Sequence, residues 1–489
     1  MSMRNAIRFL RRGRVVELAQ VSPSATVLDW LRLEEKSRGT KEGCNEGDCG
    51  ACSVALGTLR AGKVVYEPVN SCILLLAQLD GKELVTVDDL STDGHLHPVQ
   101  QAMVDAHGSQ CGFCTPGFIM SLFTLYHQGH APTRDEIADR IAGNLCRCTG
   151  YRPIIDAALK SCTGHPADRW ALGADAAARQ LAALDDGSDV FVGTPDSFIA
   201  RPAHAGTLVN LAAEHPDATI VSGATDVGLW ITKQLRQLPK IILTGGVAAL
   251  HAIAETKGGV RIGAAATYAE AMDALGGIDP DIREVLRRLG STQVRASGTL
   301  GGNIANGSPI GDTPPLLMAL GATLTLRHGV SERSMPLENF FVAYGKQDRL
   351  AGELVWAIEV PKLKPAEAFR AYKISKRFDQ DISAVLAAFK FSLDGRRIAA
   401  ARIAFGGMAA TPRRATATEA ALAGVSLDEP AAWPPALAAL ARDYQPISDM
   451  RASAAYRVDV AHGLLRKALM EVAGGAGHTR VTGQRQAVA

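Results

Sequence analysis

This 489-residue sequence lacks long apolar runs, an excess of charge of either sign and any recognisable catalytic side-chain grouping. No stretch approaches the roughly 20 apolar residues that a membrane-spanning helix needs, so we expect no membrane insertion. The 52 basic and 50 acidic residues give a formal net charge of +2, which gives no reason to expect nucleic acid as a partner. No His, Ser or Cys grouping suits nucleophilic catalysis, and no carboxylate pair suits acid–base catalysis. These absences direct attention to the nine cysteines.

The N-terminal region contains an Arg11-Arg12 pair, which raises the question of an export signal. Gly13, Arg14 and Glu17 interrupt any apolar segment after the pair, so the sequence favours a β-hairpin that turns at Arg12-Gly13. We therefore expect a cytoplasmic protein. Thiols stay reduced in the cytoplasm, so clustered cysteines indicate metal ligands before disulfides.

The first four cysteines have the spacing C-x4-C-x2-C, with the fourth after nineteen further residues. This is the spacing of plant-type [2Fe–2S] ferredoxins, and it matches zinc-finger spacing poorly. Glycines in the loop allow positive φ and let backbone N–H groups point at the cluster. The predicted ligands are Cys44, Cys49, Cys52 and Cys72, and the loop glycines are Gly43, Gly47 and Gly50.

A second set of cysteines has the pattern C-x2-C, a gap of 31 residues, then C-x-C, and comprises Cys111, Cys114, Cys146 and Cys148. Spacing alone leaves iron and zinc equally open here, because four thiolates suit either metal. Thr115-Pro116 predicts a helix that begins beside Cys114, with Thr115 as its cap. Cys162 has no partner left in either pattern, which predicts a buried or inert thiol.

Two later segments have the amino-acid composition of ligand-binding turns. The sequence TIVSGATDVGLW, Thr219–Trp230, predicts a strand, a glycine-containing turn and a helix, although it has no G-x-G-x-x-G fingerprint. By itself this segment favours an ordinary strand–turn–helix connection. The sequence TLGGNIANGSPIGDTPP, Thr299–Pro315, predicts a long loop that is denser in Gly, Asn, Ser and Pro than a connection requires.

The cysteine motifs GCNEGDCGACSV, QCGFCTPGF and NLCRCTGYRPI together resemble the iron–sulfur part of the xanthine dehydrogenase, or molybdenum hydroxylase, family. The resemblance implies that both cysteine sets hold [2Fe–2S] clusters. It also implies that Gln110 and Cys148 face a molybdopterin on a partner.

The later segments resemble the FAD domain of the same family. The resemblance implies that Ile220–Val227 wraps the pyrophosphate, and that a second group of residues holds the phosphates and the ribityl chain. Leu289 stands where the family often has an aromatic residue, and Asn306 stands where Thr is usual. The implied FAD residues are Ile220, Val221, Ser222, Gly223, Ala224, Thr225, Asp226, Val227, Leu289, Thr299, Gly302, Asn303, Asn306 and Asp312.

The resemblance implies a multi-domain α+β protein. The expected parts are a ferredoxin-like β-grasp [2Fe–2S] domain at 4–90, a four-helix-bundle [2Fe–2S] domain at 91–165, a linker at 166–192, an FAD-binding α+β domain of the vanillyl-alcohol-oxidase (PCMH) type at 193–368, a C-terminal α+β flavoprotein domain at 369–473 and a flexible tail at 474–489.

The implied role is electron transfer from a molybdopterin site through two [2Fe–2S] clusters to FAD and on to NAD⁺, with hypoxanthine or xanthine as substrate. We expect the molybdopterin domain on a separate large subunit, in an (αβ)2 heterotetramer. The alternative is an electron-transfer module of another molybdenum hydroxylase, acting on an aldehyde or an N-heterocycle. No nicotinamide-site motif is readable, so the choice between NAD⁺ and O₂ as acceptor stays open.

Overall fold

The computed structural model describes residues 3–474 and 479–480. The predicted tail at 474–489 lies outside the described residues except for 474, 479 and 480. The chain divides into two compact units: unit 1 contains Met1–Ala248 and Gly290–Gly298, and unit 2 contains Ala249–Leu289 and Thr299–Ala489. Among the described helices, none is long and apolar enough to cross a bilayer.

The first part of unit 1 is a mixed β-sheet with strand order β3-β2-β6-β4-β5. The predicted hairpin at Arg12-Gly13 is confirmed, since β2 and β3 pair antiparallel and both turn residues have positive φ, as a tight hairpin turn requires. Thr26 caps the predicted helix that follows, by accepting a hydrogen bond from the Asp29 N–H. The elements are β1 Met3–Arg4, β2 Ile7–Arg11, β3 Arg14–Leu18, α1 Val27–Asp29, β4 Ser53–Arg60, β5 Lys63–Asn70, β6 Glu83–Val85 and α2 Val87–Leu90.

A helical bundle follows the sheet in unit 1. Thr133 and Glu136 form the predicted capping box, in which each side chain accepts a backbone N–H of the other residue. The interior of the bundle is apolar and centres on Phe118, Leu122 and Phe123, which are fully buried. The helices are α3 Pro98–Asp105, α4 Thr115–Tyr126, α5 Arg134–Ile141 and α6 Arg152–Ser161.

The rest of unit 1 forms a second sheet with strand order β1-β7-β8-β10-β9. Strand β1 therefore pairs with β7, and Asp80 joins the two sheets through ion pairs with Arg4 and Arg201. The predicted linker at 166–192 contains two helices, and Leu181 and Leu184 of the second one pack on Leu10 of the first sheet. The elements are α7 Arg169–Leu172, α8 Ala174–Leu184, β7 Asp189–Thr194, β8 Ser197–Arg201, α9 Ala205–Glu214, β9 Thr219–Val221, α10 Val227–Thr232 and β10 Lys240–Leu243.

Unit 2 begins with an antiparallel sheet of strand order β11-β12-β17-β13-β14 and the helices that cover it. One short helix within this stretch of sequence, α13, belongs to unit 1. The elements are β11 Ile253–Glu255, β12 Gly259–Gly263, α11 Tyr268–Gly276, α12 Pro280–Arg287, α13 Thr292–Ser297, α14 Leu300–Asn306, α15 Thr313–Leu320, β13 Thr323–His328, β14 Ser331–Pro336, β15 Phe341–Ala343, β16 Lys346–Gln347 and β17 Leu354–Pro361.

The C-terminal part of unit 2 is an antiparallel sheet of order β18-β19-β20-β21, with helices packed against it. Phe389, Phe391 and Phe405 are fully buried between the sheet and these helices. The elements are β18 Glu367–Ile374, β19 Val385–Asp394, β20 Arg397–Gly406, β21 Arg413–Arg414, α16 Thr416–Leu422, α17 Pro434–Asp443 and α18 Ala454–Ala473.

Candidate cofactor sites

The structure brings the four cysteines of the first set together at one end of the first sheet. The Sγ atoms of Cys52 and Cys72 lie 3.3 Å apart and both residues are buried. Cys44 and Cys49 are half-buried, and each donates its backbone N–H to the sulfur of the other at 3.3 Å. The set therefore combines two buried and two partly accessible thiols.

The loop of the first set suits negatively charged sulfur. The hydrogen bond with the Cys49 thiol, followed by backbone N–H groups of Cys49, Glu46 and Asp48, lowers the pKa of Cys44 to about 5, and the same bond raises the pKa of Cys49, so one of the two thiols is favoured as the thiolate. A Cβ atom on Gly43 would lie 2.7 Å from the Cys49 sulfur, so the backbone approaches the sulfur closely. Amide donors around thiolate sulfur also tune the potential of iron–sulfur clusters. These residues fit a thiolate-bound [2Fe–2S] cluster.

The second set lies on loops at the ends of bundle helices, with Cys111 and Cys148 exposed. The Cys114 and Cys146 thiols are hydrogen-bonded, and burial followed by this bond raises the pKa of Cys114 to about 12. The Cys146 sulfur accepts the backbone N–H of Cys148 at 3.4 Å. This set also brings four sulfurs together and fits a second thiolate-bound cluster. The helix cap is one residue earlier than predicted, at Cys114, because Thr115 already has helical geometry.

Two hydrogen bonds join the loops that carry the two cysteine sets. The Leu145 N–H donates to the Cys49 carbonyl oxygen at 3.0 Å, and the Asn144 side chain donates to the Gly50 carbonyl oxygen at 3.0 Å. Leu145 directly precedes Cys146. A path from Cys146 to Cys49 therefore needs only one backbone unit and one hydrogen bond.

The predicted partner-facing residue Gln110 is exposed beside the second set, and its amide donates to the Cys148 carbonyl oxygen at 3.2 Å. Phe113 and Leu145 are also exposed on these loops. The structure thus leaves the rim of the second set open to a partner. The predicted contact of Gln110 with molybdopterin stays a prediction.

The first predicted flavin segment, Ile220–Val227, runs from β9 through a turn to the start of α10. Ala224 has φ +62°, and a Cβ on Gly223 would lie 2.1 Å from the Ser297 carbonyl oxygen, so only glycine fits there. The hydroxyls of Ser222 and Thr244 are buried without a hydrogen-bond partner among the described residues. Such orphaned groups at the ends of neighbouring strands fit a polar ligand. Thr244 was not predicted, since nothing in the local sequence distinguishes it.

This turn lies beside the first cysteine set. Leu229 of α10 packs against the buried cluster that contains Cys52 and Cys72, and a Cβ on Gly228 would lie 2.6 Å from Ile73. Lys233, just after α10, donates to the Cys44 carbonyl oxygen at 2.5 Å. The predicted flavin turn and the first predicted cluster site therefore share side-chain contacts within unit 1.

The second predicted flavin segment belongs to unit 2, and there the structure corrects the expectation of a loop. Leu300–Asn306 is helix α14, because Thr299 caps it by accepting the Gly302 N–H at 3.1 Å. A Cβ on Gly301 would lie 2.5 Å from Ala264, so α14 packs tightly on its neighbour. Asn306 is exposed.

Two further predicted flavin residues of unit 2 have partners within the chain. Both carboxylate oxygens of buried Asp312 are bonded, one to Lys373 at 2.5 Å and one to Ser383 at 2.6 Å. Asn303 accepts a hydrogen bond from Thr313 at 2.5 Å. Lys373 was missed from sequence, because its partner lies 61 residues away. Leu289 is partly buried against the unit 2 core. The flavin contacts of these residues stay predictions.

A second group of potential metal ligands, His97, His127 and Asp168, lies within the bundle. Both imidazole Nε2 atoms contact the same Asp168 oxygen, at 2.7 and 2.8 Å. The Val99 N–H donates to His97 Nδ1, so neutral His97 carries its proton on Nε2 and donates to Asp168. This nitrogen then has no lone pair for a metal. The group instead clamps the ends of α3, α4 and α7 together.

Cys162 is buried, as predicted, and burial raises the pKa of its thiol to about 11. A thiol of this kind is protonated and unreactive at neutral pH. It lies in the apolar interior of the bundle.

Three models of known protein domains match consecutive parts of the chain. Residues 86–159 match the model of a [2Fe-2S] binding domain, residues 195–363 that of the FAD binding domain in molybdopterin dehydrogenase, and residues 370–472 that of the CO dehydrogenase flavoprotein C-terminal domain. The predicted multi-domain α+β fold is confirmed.

Individual proteins and solved structures are also similar to this chain. Xanthine dehydrogenase of Blastobotrys adeninivorans is 30% identical over 519 residues, covering 86% of this chain and 37% of that protein. A reconstituted CO dehydrogenase structure from Oligotropha carboxidovorans is 28% identical with a TM-score of 0.54, covering 58% of this chain and 99% of that chain. Quinoline 2-oxidoreductase from Pseudomonas putida 86 is 26% identical with a TM-score of 0.51, covering 56% of this chain and 96% of that chain.

The chain thus spans little more than a third of the length of the curated xanthine dehydrogenase relative. The matched domains follow one another along the sequence, and the cysteine loops and the predicted flavin turn lie together within unit 1. On this combination of matches and sites, the chain belongs to the molybdenum hydroxylase family and contains that family's [2Fe–2S]-binding and FAD-binding domains.

Proposed function

We propose that this chain is the electron-transfer part of a xanthine dehydrogenase. In this proposal, electrons from a molybdopterin subunit that oxidises hypoxanthine and xanthine to urate pass through two [2Fe–2S] clusters and FAD to NAD⁺. The observation that carries the proposal is the serial arrangement of sites in unit 1. The exposed rim at Cys148 leads to Cys146, then by the Leu145 hydrogen bond to Cys49, and from Cys72 to the flavin turn at Gly228.

The bound groups supply the redox chemistry, because clusters carry single electrons and FAD exchanges a hydride equivalent. The residues of the chain hold and insulate these groups. The four cysteines of each set bind a cluster, and backbone N–H groups stabilise the negative sulfur. Leu229 and Ile73 fill the space between the first set and the flavin turn. Together these contacts keep the electron-transfer route short and exclude water from it.

A molybdopterin-binding large subunit is the proposed electron donor, in an (αβ)2 heterotetramer. The support for a partner is the exposure of Cys111, Cys148 and Gln110 at one rim, since a cluster site is otherwise shielded from water. A cytoplasmic location belongs to the same proposal, because reduced thiols are available to bind iron there.

The test distinguishes the reaction of this chain with NADH from the oxidation of xanthine, which needs the large subunit. The isolated chain should pass electrons from NADH to a dye but should not oxidise xanthine, and addition of the large subunit should restore xanthine-dependent NADH formation. Cys148→Ser should spare the dye reaction and block xanthine-driven NADH formation, because the dye reaction needs only the flavin.

A pair of glycine variants tests the flavin assignment. Gly302→Val, in α14, should abolish both reactions and remove FAD while leaving the iron. Gly258→Val is the matched control, because a Cβ there meets no atom within 4 Å. Xanthine oxidation by the isolated chain, or stoichiometric FAD in Gly302→Val, would contradict the proposal.

A second candidate is the same module serving a hydroxylase of aldehydes or N-heterocycles. The likeness to quinoline 2-oxidoreductase, with a TM-score of 0.51, favours keeping this candidate. Assay of the purified complex with xanthine, an aldehyde and quinoline decides between the two. An absence of NADH–dye activity in a flavin-replete chain would point to O₂ or another protein as the acceptor.

A further inference from the structure

The junction between the two cysteine loops contains a buried amide that the cofactor assignments do not use. Gln293 of α13 is completely buried, although it lies 145 residues beyond Cys148, the last predicted cysteine ligand in sequence. Its Nε2 atom lies 3.1 Å from the Ser53 hydroxyl, 3.2 Å from the Ser121 hydroxyl and 3.0 Å from Asn144 Oδ1. One side chain thus contacts three residues from three different segments.

The orientation of this amide is fixed by its neighbours. The Ser53 hydroxyl donates its hydrogen to the Gly50 carbonyl oxygen at 2.7 Å, and the Ser121 hydroxyl donates to Asn144 Oδ1 at 2.6 Å. All three atoms that face Gln293 are therefore acceptors, and only the NH₂ group can face them. Its Oε1 has no hydrogen-bond partner among the described residues, and the two N–H hydrogens, which are shared among the three acceptors, must offset this cost.

Two of the three residues held by Gln293 lie next to the predicted metal-binding cysteines. Ser53 directly follows Cys52 of the first set, and Asn144 precedes Cys146 of the second set by two residues. Asn144 also donates to the Gly50 carbonyl oxygen between Cys49 and Cys52. A change in the position of Gln293 would therefore alter the contacts of both cysteine loops.

The packing around this amide leaves no room for adjustment. A Cβ on Gly143 would lie 2.0 Å from Gln293 Oε1, and a Cβ on Gly117 would lie 2.1 Å from the Gly50 carbonyl oxygen. The backbone at Gly50 and Gly143 is therefore packed tightly against α4 and α13. Gln293 closes the remaining side of this junction.

We propose that Gln293 is a positioning residue that fixes the separation and relative orientation of the two [2Fe–2S] clusters. This inference rests on the two-cluster assignment of the proposed function. The step concerned is the transfer of one electron from the reduced second cluster to the oxidised first cluster, in which no bond forms or breaks and no proton moves. Its rate depends on the distance between the two clusters, which the two N–H hydrogens of Gln293, shared among three acceptors, hold constant.

The test replaces the amide by a side chain of similar length without donors, Gln293→Met. The bonds among Ser53, Ser121 and Asn144 remain in this variant, so we expect it to fold and to keep both clusters. Thr292→Ala is the control, because Thr292 lies on the same helix but bonds to Asp139, away from both cysteine loops. Both proteins are studied as full-length chains with their clusters.

The readout is the magnetic interaction between the two reduced clusters in electron paramagnetic resonance, which falls steeply with distance. We expect Gln293→Met to weaken this interaction and to slow the intercluster step, since the rate of electron transfer also falls steeply with distance. Thr292→Ala should match the wild-type protein in both measurements.

The outcomes separate the two proposals. An iron-replete Gln293→Met with unchanged interaction and rate overturns the positioning role and leaves the proposed function intact. If Gln293→Met loses iron, Gln293→Glu is measured in its place, because it keeps the shape but turns oxygens toward the acceptors. Loss of iron from both variants also overturns the positioning role, because the residue would then be needed to build the sites. Zinc in the wild-type protein would instead refute the two-cluster assignment.

Discussion

Gly50, between Cys49 and Cys52, offers a substitution whose effect can be worked out from the structure. Its φ is +68°, and a Cβ there would lie 2.2 Å from the Gly143 carbonyl oxygen and 2.6 Å from Asn144 Nδ2. Gly150, which follows Cys148 by two residues, has almost the same φ of +67° but no atom within 4 Å of its Cβ position. Alanine at the two positions therefore shares the backbone strain and differs in crowding.

The magnitudes follow from this difference. An L-residue in the left-handed region costs about 1–2 kcal/mol, which applies to both variants. Overpacking at Gly50 adds about 1–3 kcal/mol, because the clash is with backbone, which cannot rotate away. We therefore expect Gly50→Ala to be the less stable protein by about 1–3 kcal/mol. It should also push the C-x-C segment away from the first loop.

The assay follows the visible absorbance of the clusters during thermal unfolding, together with iron content and the magnetic interaction between the clusters. Gly150→Ala should keep about four irons per chain on the two-cluster assignment and a wild-type interaction. Gly50→Ala should unfold at lower temperature and show a weakened interaction or a lost first cluster. Equal behaviour of the two variants would refute the reasoning, because crowding at the junction would then have no consequence.

Three further changes test other sites. Cys49→Ser should remove one [2Fe–2S] signal and leave the other; loss of both signals would show that the sites are not independent. Asp168→Asn should lower the free energy of unfolding by about 1–3 kcal/mol, measured with denaturant, because it removes the charged acceptor of two buried histidine hydrogen bonds. Burial would raise the pKa of Asp168, but hydrogen bonds from His127 and His97 lower this pKa well below the usual range. The stabilisation by Asp168 should therefore be present above about pH 4 and be lost as the pH falls through the lowered pKa. A difference in stability between Asp168→Asn and the wild-type protein that does not depend on pH would contradict this. Lys373→Met should reduce bound FAD and leave iron unchanged, since Asp312 loses its charged partner; undiminished FAD would remove Asp312 from the flavin site.

The features that sequence predicted correctly are those with local physical causes. The spacing of the first cysteines is sufficient to indicate a loop that folds around sulfur, and the Arg12-Gly13 turn and the Thr133–Glu136 capping box depend on neighbouring residues only. Helix α14 was predicted as a loop because its glycines lower helix propensity, whereas Thr299 and packing on Ala264 decide the outcome.

The features that sequence did not predict depend on contacts between distant segments. Lys373 pairs with Asp312 across 61 residues, and Gln293 reaches Ser53 across 240 residues. Strand β1 pairs with β7, which begins at Asp189. No periodicity or spacing in a single sequence records such pairings, because each partner taken alone is an ordinary residue of its element.

Gly290–Gly298 belongs to unit 1, although the residues on both sides of it in sequence belong to unit 2. This has a practical consequence for the production of fragments of the protein. A truncated version that stops at Ala248 would contain every cysteine ligand but would lack Gln293 and the Ser297 carbonyl beside Gly223. Three buried acceptor atoms within unit 1 would face a void or water instead of an amide. A fragment intended to carry the two clusters without the flavin must therefore be produced with residues 290–298 supplied, as a grafted loop or a second peptide.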